Sequence, residues 1–342
     1  MRKLPIEDAI GKPLANDMTQ IIPGKIKGPA FKRGHILREE DIPLLKDMGK
    51  AHVYVLDPDK GYIHEDDAAV ALSDAYGGEE FERVGPSEGR INLKAGFHGL
   101  LKINLDLLTF INGSGEIICS TVHQHTVCPE GMTVAATRII PVAMDENEFQ
   151  KVLDKVKSEG PLLKLLPFVR KRIGVAVTGE EVYSGRIPDS SMEILTPKVK
   201  ALGGEIVAHA ICPDDAGVIS ETISKMVRVD DCDLIITTGG LSVDPDDVTL
   251  DGIGRSGAEI VSYGSPILPG AMFACAYLDG VPILGVPAAV FYFKATVLDI
   301  FLPRAMADDP ISRADVVVLG HGGLCLNCKV CTYPVCPFGK GA

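Results

Sequence analysis

Tryptophan is absent and aromatic residues make up 6% of the 342-residue chain, so platforms for stacking nucleobases are scarce. Basic residues are in deficit as well. Lys and Arg number 34 against 46 Asp and Glu, a formal net charge of −12. That sign disfavours non-specific attraction to nucleic acid or to an anionic membrane surface. It still leaves room for a small anionic ligand, because backbone N–H groups at a helix start bind phosphate inside an acidic protein. No apolar run reaches the ~20 residues of a membrane span. The longest, 280–293, is broken by Pro282 and Pro287. Nor does an apolar stretch follow residues 1–3 in the manner of a secretory leader. The expectation is a soluble, cytoplasmic protein with neither nucleic-acid nor membrane partners. Internal repeats, the G-x-G-x-x-G fingerprint, the G-x-x-x-x-G-K-[ST] phosphate loop and a Ser-His-Asp arrangement are also missing.

What the chain does contain divides at a Gly- and Pro-bearing stretch, 158–167, that reads as a linker. Beyond it, apolar β-branched runs at 173–178, 205–211, 234–238, 259–263 and 281–286 alternate with helical patterns. Continuous apolar runs suit strands buried on both faces of a parallel sheet. Residues 214–229 carry Val218, Ile219, Ile223, Met226 and Val227 at helical spacing. Thr196–Pro197 offers a cap and first helical residue, or a kink if a helix runs through it, with Gly203–Gly204 closing that helix. Residues 290–306 read as one long helix. The fold class is therefore α/β, a three-layer sandwich with a mostly parallel sheet, preceded by a smaller β-rich region.

Before the linker, 38–48 suggests a short helix and 52–56 a strand. Residues 57–82 hold nine acids against one Lys and read as a solvated face or loop. Runs at 100–105, 107–111, 116–121 and 132–140 suggest a small all-β module, with a helix at 149–157. The expected organisation is 1–60, then 61–167, an α/β domain at 168–310 and a cysteine-rich tail at 311–342.

Two strand ends carry the chemistry. One reads Thr178-Gly179-Glu180-Glu181, with Asp189-Ser190-Ser191 beyond. The other reads Thr237-Thr238-Gly239-Gly240-Leu241-Ser242, then Asp244, Asp246, Asp247-Val248-Thr249. Ligands of open parallel sheets bind at the carboxyl ends of strands. Paired glycines let backbone approach a phosphate, hydroxyls add donors, and the acids beyond suit Mg²⁺. The same residues read equally as a strand-ending turn with solvated acids.

T-G-E-E at 178–181, D-S-S at 189–191, C-P-D-D at 212–215 and T-T-G-G-L-S-x-D-P-D-D-V-T at 237–249 resemble the molybdopterin-binding domain family. That family includes the molybdopterin adenylyltransferases (MogA-type), the molybdenumtransferases (MoeA-type) and the CinA-type proteins. Residues 266–270 resemble the K-P-G loop of the molybdenumtransferases, and 34–55 resembles their G-x-x-L-x-x-x-D-I-x-x-L-x-x-x-G stretch. The resemblance implies a molybdopterin or adenylyl-molybdopterin ligand, Mg²⁺, and catalytic roles for Asp214, Asp247 and Glu181, with Asp247 on the metal. It implies ligand-contacting positions at Thr178, Gly179, Glu180, Ser190, Thr238, Gly239, Gly240, Ser242 and Gly270. It further implies a homo-oligomer that works with a molybdoenzyme or with other cofactor-biosynthesis proteins. Asp214 and Asp247 read also as helix caps. The chain departs from the family at Gly285-Val286-Pro287-Ala288-Ala289-Val290, where L-P-G-N-P is usual, and lacks the N-terminal D-G-x-A signature.

Five of nine cysteines are scattered, while Cys325, Cys328, Cys331 and Cys336 follow C-x2-C-x2-C-x4-C-P. This resembles the ferredoxin run C-x2-C-x2-C-x3-C-P with one residue added. The expected ligand is a [4Fe–4S] cluster or Zn²⁺ bound to thiols converging on one face. Lys329 and Lys340 would offset thiolate charge, and a free-thiol tail is the alternative. On a strand, His123 and His125 would share a face near Cys128, as metal donors or as ordinary polar positions.

Overall fold

Alternation inside the buried strands sets the architecture. A computed structural model describes residues 2–22, 24–55, 61–242 and 244–341. Leu56 of the 52–56 strand and residues 57–60 of the acidic stretch lie outside the described residues. By contact clustering the chain divides into two units. One comprises Met1–Phe97, Lys102–Val122 and Pro129–Leu165; the other comprises His98–Leu101, His123–Cys128 and Leu166–Ala342.

The second unit contains a six-stranded sheet in the order Glu205–Cys212, Arg172–Thr178, Leu234–Thr238, Val281–Val286, Ala274–Leu278, Glu259–Tyr263. The first four strands are mutually parallel and the last two pairings are antiparallel. Successive residues of a strand face opposite sides. Ile173, Val175 and Val177 join one core with Leu195, Val199, Leu298 and Phe301, from helices Ser191–Ala201 and Val297–Met306. Ala176, Ile235 and Ile283 join a second core with Ile219, Ile223 and Met226 of helix Ala216–Arg228. Two cores on two faces make the three layers expected from the strand–helix alternation.

Three expectations for this unit are corrected. Helix Ser191–Ala201 runs through Pro197 rather than starting there. Residues 290–306 are not one helix. A 3₁₀ turn, Ala288–Phe291, precedes Val297–Met306, which starts at a Thr296/Asp299 capping box. The 259–263 run is an edge strand in antiparallel pairing, and its partner Ala274–Leu278 was not anticipated.

The first unit carries an antiparallel sheet in the order Phe81–Ser87, Arg90–Ala95, Thr133–Ile139, Ile117–Thr121. It is not all-β. The 107–111 run lies in helix Leu105–Gly113, capped by the Asn104 side chain, which accepts from the Leu107 N–H. The acidic stretch contains helix Glu65–Tyr76, with Glu65, Asp66 and Asp67 in its first turn, where the dipole favours them. Ala68, Ala69, Leu72 and Tyr76 bury its other face. Nor is 158–167 a plain linker, since Leu163–Pro167 is a strand and Leu162 and Leu163 are buried. The short helix near 38–48 is present as Ile42–Asp47, behind a 3₁₀ turn.

His64 is 8% exposed. Its Nε2 lies 2.6 Å from the Ala15 carbonyl, and its Nδ1 accepts from the Asp66 N–H at 3.2 Å, which fixes a neutral tautomer. Burial pushes this imidazole below its usual range, against the opposing pull of the Ala15 hydrogen bond. The folded state therefore takes up a proton less readily than the unfolded chain. The associated stability is complete above about pH 6.5, the unfolded value, and is lost as pH falls through the lower folded pKa. Urea midpoints measured at pH 7.5 and 5.5 are expected to fall on acidification, and His64→Gln to flatten that slope. An unchanged slope in the variant contradicts the assignment.

Candidate functional site

Register brings the strand ends to one level. Thr178 pairs with Cys212, Val177 with Thr238, and Thr238 with Val286. The loops beginning at Gly179, Pro213, Gly239 and Pro287 consequently leave the sheet along one edge, the carboxyl edge of its parallel strands.

At its centre is the Gly239–Gly240 turn. Both residues have positive φ, +90° and +54°. A Cβ on Gly239 would fall on the Thr178 carbonyl oxygen, and one on Gly240 on the Thr249 hydroxyl. The turn is thus closed to side chains by conformation and by space. Thr178 is 3% exposed. Its hydroxyl donates to the Thr238 carbonyl at 3.1 Å and lies 2.7 Å from the Thr249 Oγ1. The Thr249 N–H donates to the Gly240 carbonyl at 3.1 Å. Thr178 and Thr238 are both buried, and the Thr178 hydroxyl and the Thr238 carbonyl hold the base of the turn. The buried Thr237 and Thr238 hydroxyls have no hydrogen-bond partner among the described residues.

Asp214 reaches across to the first loop, its Oδ2 accepting from the Glu180 N–H at 2.9 Å. It does not cap the following helix. Asp215 does so, accepting from the N–H groups of Gly217 and Val218. Asp247 is no cap either, because helix Thr249–Arg255 has Val248 at its N-cap. Asp247 closes a tight turn instead: its N–H donates to the Asp244 carbonyl at 3.0 Å, and its Oδ2 accepts from the Asp244 N–H at 3.3 Å. Both cap readings drop out, and both carboxylates belong to loops at the sheet edge. Glu180 and Glu181 are exposed in the helical turn Glu180–Tyr183, behind Gly179 with φ +139°.

These contacts tie Thr178, Thr238, Thr249 and Gly240 to one another, and separately tie Asp214 to Glu180 on the first loop. Ser190 and Ser242 are exposed, and no hydrogen bond ties them to either group. Gly270 is buried, and a Cβ there would meet Val297 at the start of helix Val297–Met306. Three positions escaped the sequence reading. Thr249 holds the glycine turn. Asp189 accepts from the Ser191 N–H at 2.8 Å, and its Oδ2 lies 2.9 Å from His209 Nε2. The D-S-S motif contains Asp189, but only the sheet brings His209 to it.

Among the described residues, no three His, Cys, Asp or Glu side chains gather to hold a metal ion. Cys325, Cys328, Cys331 and Cys336, expected to bind a cluster or Zn²⁺, are free thiols that line one cavity. His123 and His125 lie outside any strand, and His125 has φ +58°, so they do not present one face. No helix among the described residues is long and apolar enough to cross a membrane.

The loops described lie within a stretch that matches a known protein family. Residues 174–307 match a family model described as "probable molybdopterin binding domain", and residues 3–57 match one described as a domain of unknown function. A CinA-like protein of Citrifermentans bemidjiense is 29% identical over 97 residues, 28% of this chain and 23% of the relative. One of Mycobacterium marinum is 36% identical over 94 residues, 27% of this chain and 22% of the relative. The chain thus spans under a quarter of the length of these curated relatives. The structure of the molybdopterin biosynthesis enzyme MoaB of Thermus thermophilus is 19% identical, with a TM-score of 0.34, covering 39% of this chain and 91% of that one. Residues 174–307 therefore form a domain of the molybdopterin-binding domain family, as the strand-end motifs suggested.

Proposed function

We propose that the α/β unit binds molybdopterin, or its adenylylated form, at the carboxyl edge of its parallel strands, and acts on it in molybdenum-cofactor biosynthesis as a molybdenumtransferase does. The observation that carries this reading is the in-register arrival of four loops at one edge, with a side-chain-free Gly239–Gly240 turn between Asp214 and Asp247 in sequence order. Backbone N–H groups of that turn suit the pterin phosphate. Mg²⁺ takes one or two carboxylates and completes its shell with phosphate oxygens and water, so Asp247 suffices as its protein ligand. When bound there it would screen phosphate charge. Asp214, held by the Glu180 N–H, and the exposed Glu181 are placed to position molybdate or water. The cysteine tail is a separate metal centre, iron–sulfur or zinc, in this reading. A homo-oligomer, with a molybdoenzyme or another cofactor-biosynthesis protein as recipient, completes the proposal.

Asp214→Asn and Asp247→Asn are expected to weaken molybdopterin binding in Mg²⁺ roughly tenfold to a hundredfold, the worth of one charge-assisted contact at ~1.5–3 kcal/mol. Fluorescence titration of the pterin measures it, and wild-type affinity in Asp247→Asn removes Asp247 from the site. The matches to CinA-like proteins favour a second reading, nucleotide processing. Hydrolysis of ADP-ribose or nicotinamide mononucleotide without pterin binding would select it. The departures at Ala288 and Ala289 favour a third, a non-catalytic carrier or sensor, distinguished by stoichiometric binding without molybdate insertion.

A further inference from the structure

The cysteine tail is irregular chain held at both ends. Leu324 forms a parallel bridge with Leu268; the Leu268 N–H donates to the Gly323 carbonyl and the Cys325 N–H to the Leu268 carbonyl, each at 2.8 Å. Farther on, the half-buried Tyr333 hydroxyl donates to the Asp299 carbonyl at 2.9 Å, and Phe338 is 4% exposed in the core. The Gly339 N–H closes the loop on the Gly322 carbonyl at 2.9 Å. All four cysteines lie between these ties.

Between its ties the segment has little to hold it. Leu326, Val330 and Val335 are each more than 70% exposed, and residues 326–341 contain neither helix nor strand. Chain with so small a core ordinarily needs a disulfide or a metal as a staple. The cysteines are all free. Yet Cys325, Cys328, Cys331 and Cys336 all line one cavity of about 410 Å³, walled also by Phe293 and Lys294.

The spread of the thiols distinguishes the possible occupants. Four thiolates on one zinc ion, at 2.3 Å each, would stand about 3.8 Å from one another. Among the described residues no three His, Cys, Asp or Glu side chains are gathered for a lone metal ion. A cluster places several metal and sulfide atoms between its ligands and so accepts thiols around the wall of a wider cavity. Cysteine-only ligation in a C-x2-C-x2-C run followed by a fourth Cys-Pro is the pattern of such clusters. Lys294 and Lys329 on the cavity wall compensate an anionic, thiolate-bound centre.

We propose that Cys325, Cys328, Cys331 and Cys336 ligate one [4Fe–4S] cluster in this cavity, beside the 266–270 and 288–295 segments. On ligation the four thiols release their protons to solvent, while iron and sulfide come from outside the chain. The inference stands on the tail alone and is independent of the pterin reading, because iron loading is measured without pterin.

The test is anaerobic reconstitution of the full chain with equal amounts of ferrous and ferric iron and with sulfide, which supply the [4Fe–4S]²⁺ state without a further oxidant, followed by iron, zinc and acid-labile sulfide analysis. About four irons and four sulfides per chain are expected, with a broad visible band. Cys328→Ser and Cys331→Ser, at exposed positions, are each expected to lose at least two thirds of both. One zinc without sulfide, or iron that persists in both variants, overturns the proposal. Thiol titration of the wild type covers variants that fail to fold: stripping the cluster with a chelator should expose about four further thiols. No increase also overturns it.

Discussion

Gly239→Ala is expected to abolish high-affinity pterin binding and to destabilise the α/β unit by roughly 3 kcal/mol, combining left-handed strain with overpacking. At φ +90° an alanine pays a conformational cost that glycine does not, and its Cβ would coincide with the Thr178 carbonyl. That oxygen belongs to the backbone of a central strand and cannot turn aside as a flexible side chain would. Relief therefore requires the turn to move away from the Thr178–Thr249 hydroxyl pair, taking with it the amides offered to phosphate. Urea unfolding measures the stability, and pterin titration the loss of affinity, expected to exceed tenfold. A stable variant with wild-type affinity would mean that the turn has no role in binding.

The second large effect lies away from the strand ends. Arg304, 3% exposed, donates to Asp309 and to the Pro310 carbonyl and pairs with Asp315 at 3.1 Å. Asp309 is itself 8% exposed. Arg304→Ala removes the guanidinium shared by Asp309 and Asp315, leaving Asp309 with His125 Nε2 at 3.5 Å, and breaking a buried pair in this way costs roughly 3–5 kcal/mol. The paired change Arg304→Met with Asp309→Leu removes both charges and is expected to recover much of the loss. Urea denaturation of the three proteins decides it. A double variant no more stable than Arg304→Ala would show that packing, not the broken ion pair, carries the cost.

Legibility in the sequence followed the range of the interactions concerned. The central strands were readable because burial on both faces leaves uninterrupted apolar runs, as in 173–178 and 234–238. The 274–278 strand, ACAYL, has small residues and no such signature, and it is defined by pairing with 281–286. Residues 107–111 look β-like in isolation, yet Asn104 caps a helix there, so local hydrogen bonding outweighs strand preference. Over 290–306 the apolar content concealed the break before Thr296. Its T-x-x-D spacing was the available sign.

The strand-end motifs place Asp214 and Asp247 on loops at the carboxyl edge of the sheet. Whether either caps a helix cannot be read locally, since Asp214 and Asp215 are adjacent and only backbone geometry shows that Asp215 is the cap. Nor does a motif reveal burial, which for Thr178, Thr238 and Gly270 depends on residues distant in sequence. The tail's attachment to 266–270 joins residues more than fifty positions apart and leaves no local trace.

The most direct test of the central claim is a titration of the full chain with molybdopterin, with and without Mg²⁺. The account predicts saturable binding of about one pterin per chain, with an affinity at least tenfold weaker when Mg²⁺ is chelated. Absence of saturable binding in Mg²⁺ by the folded wild-type chain would contradict it.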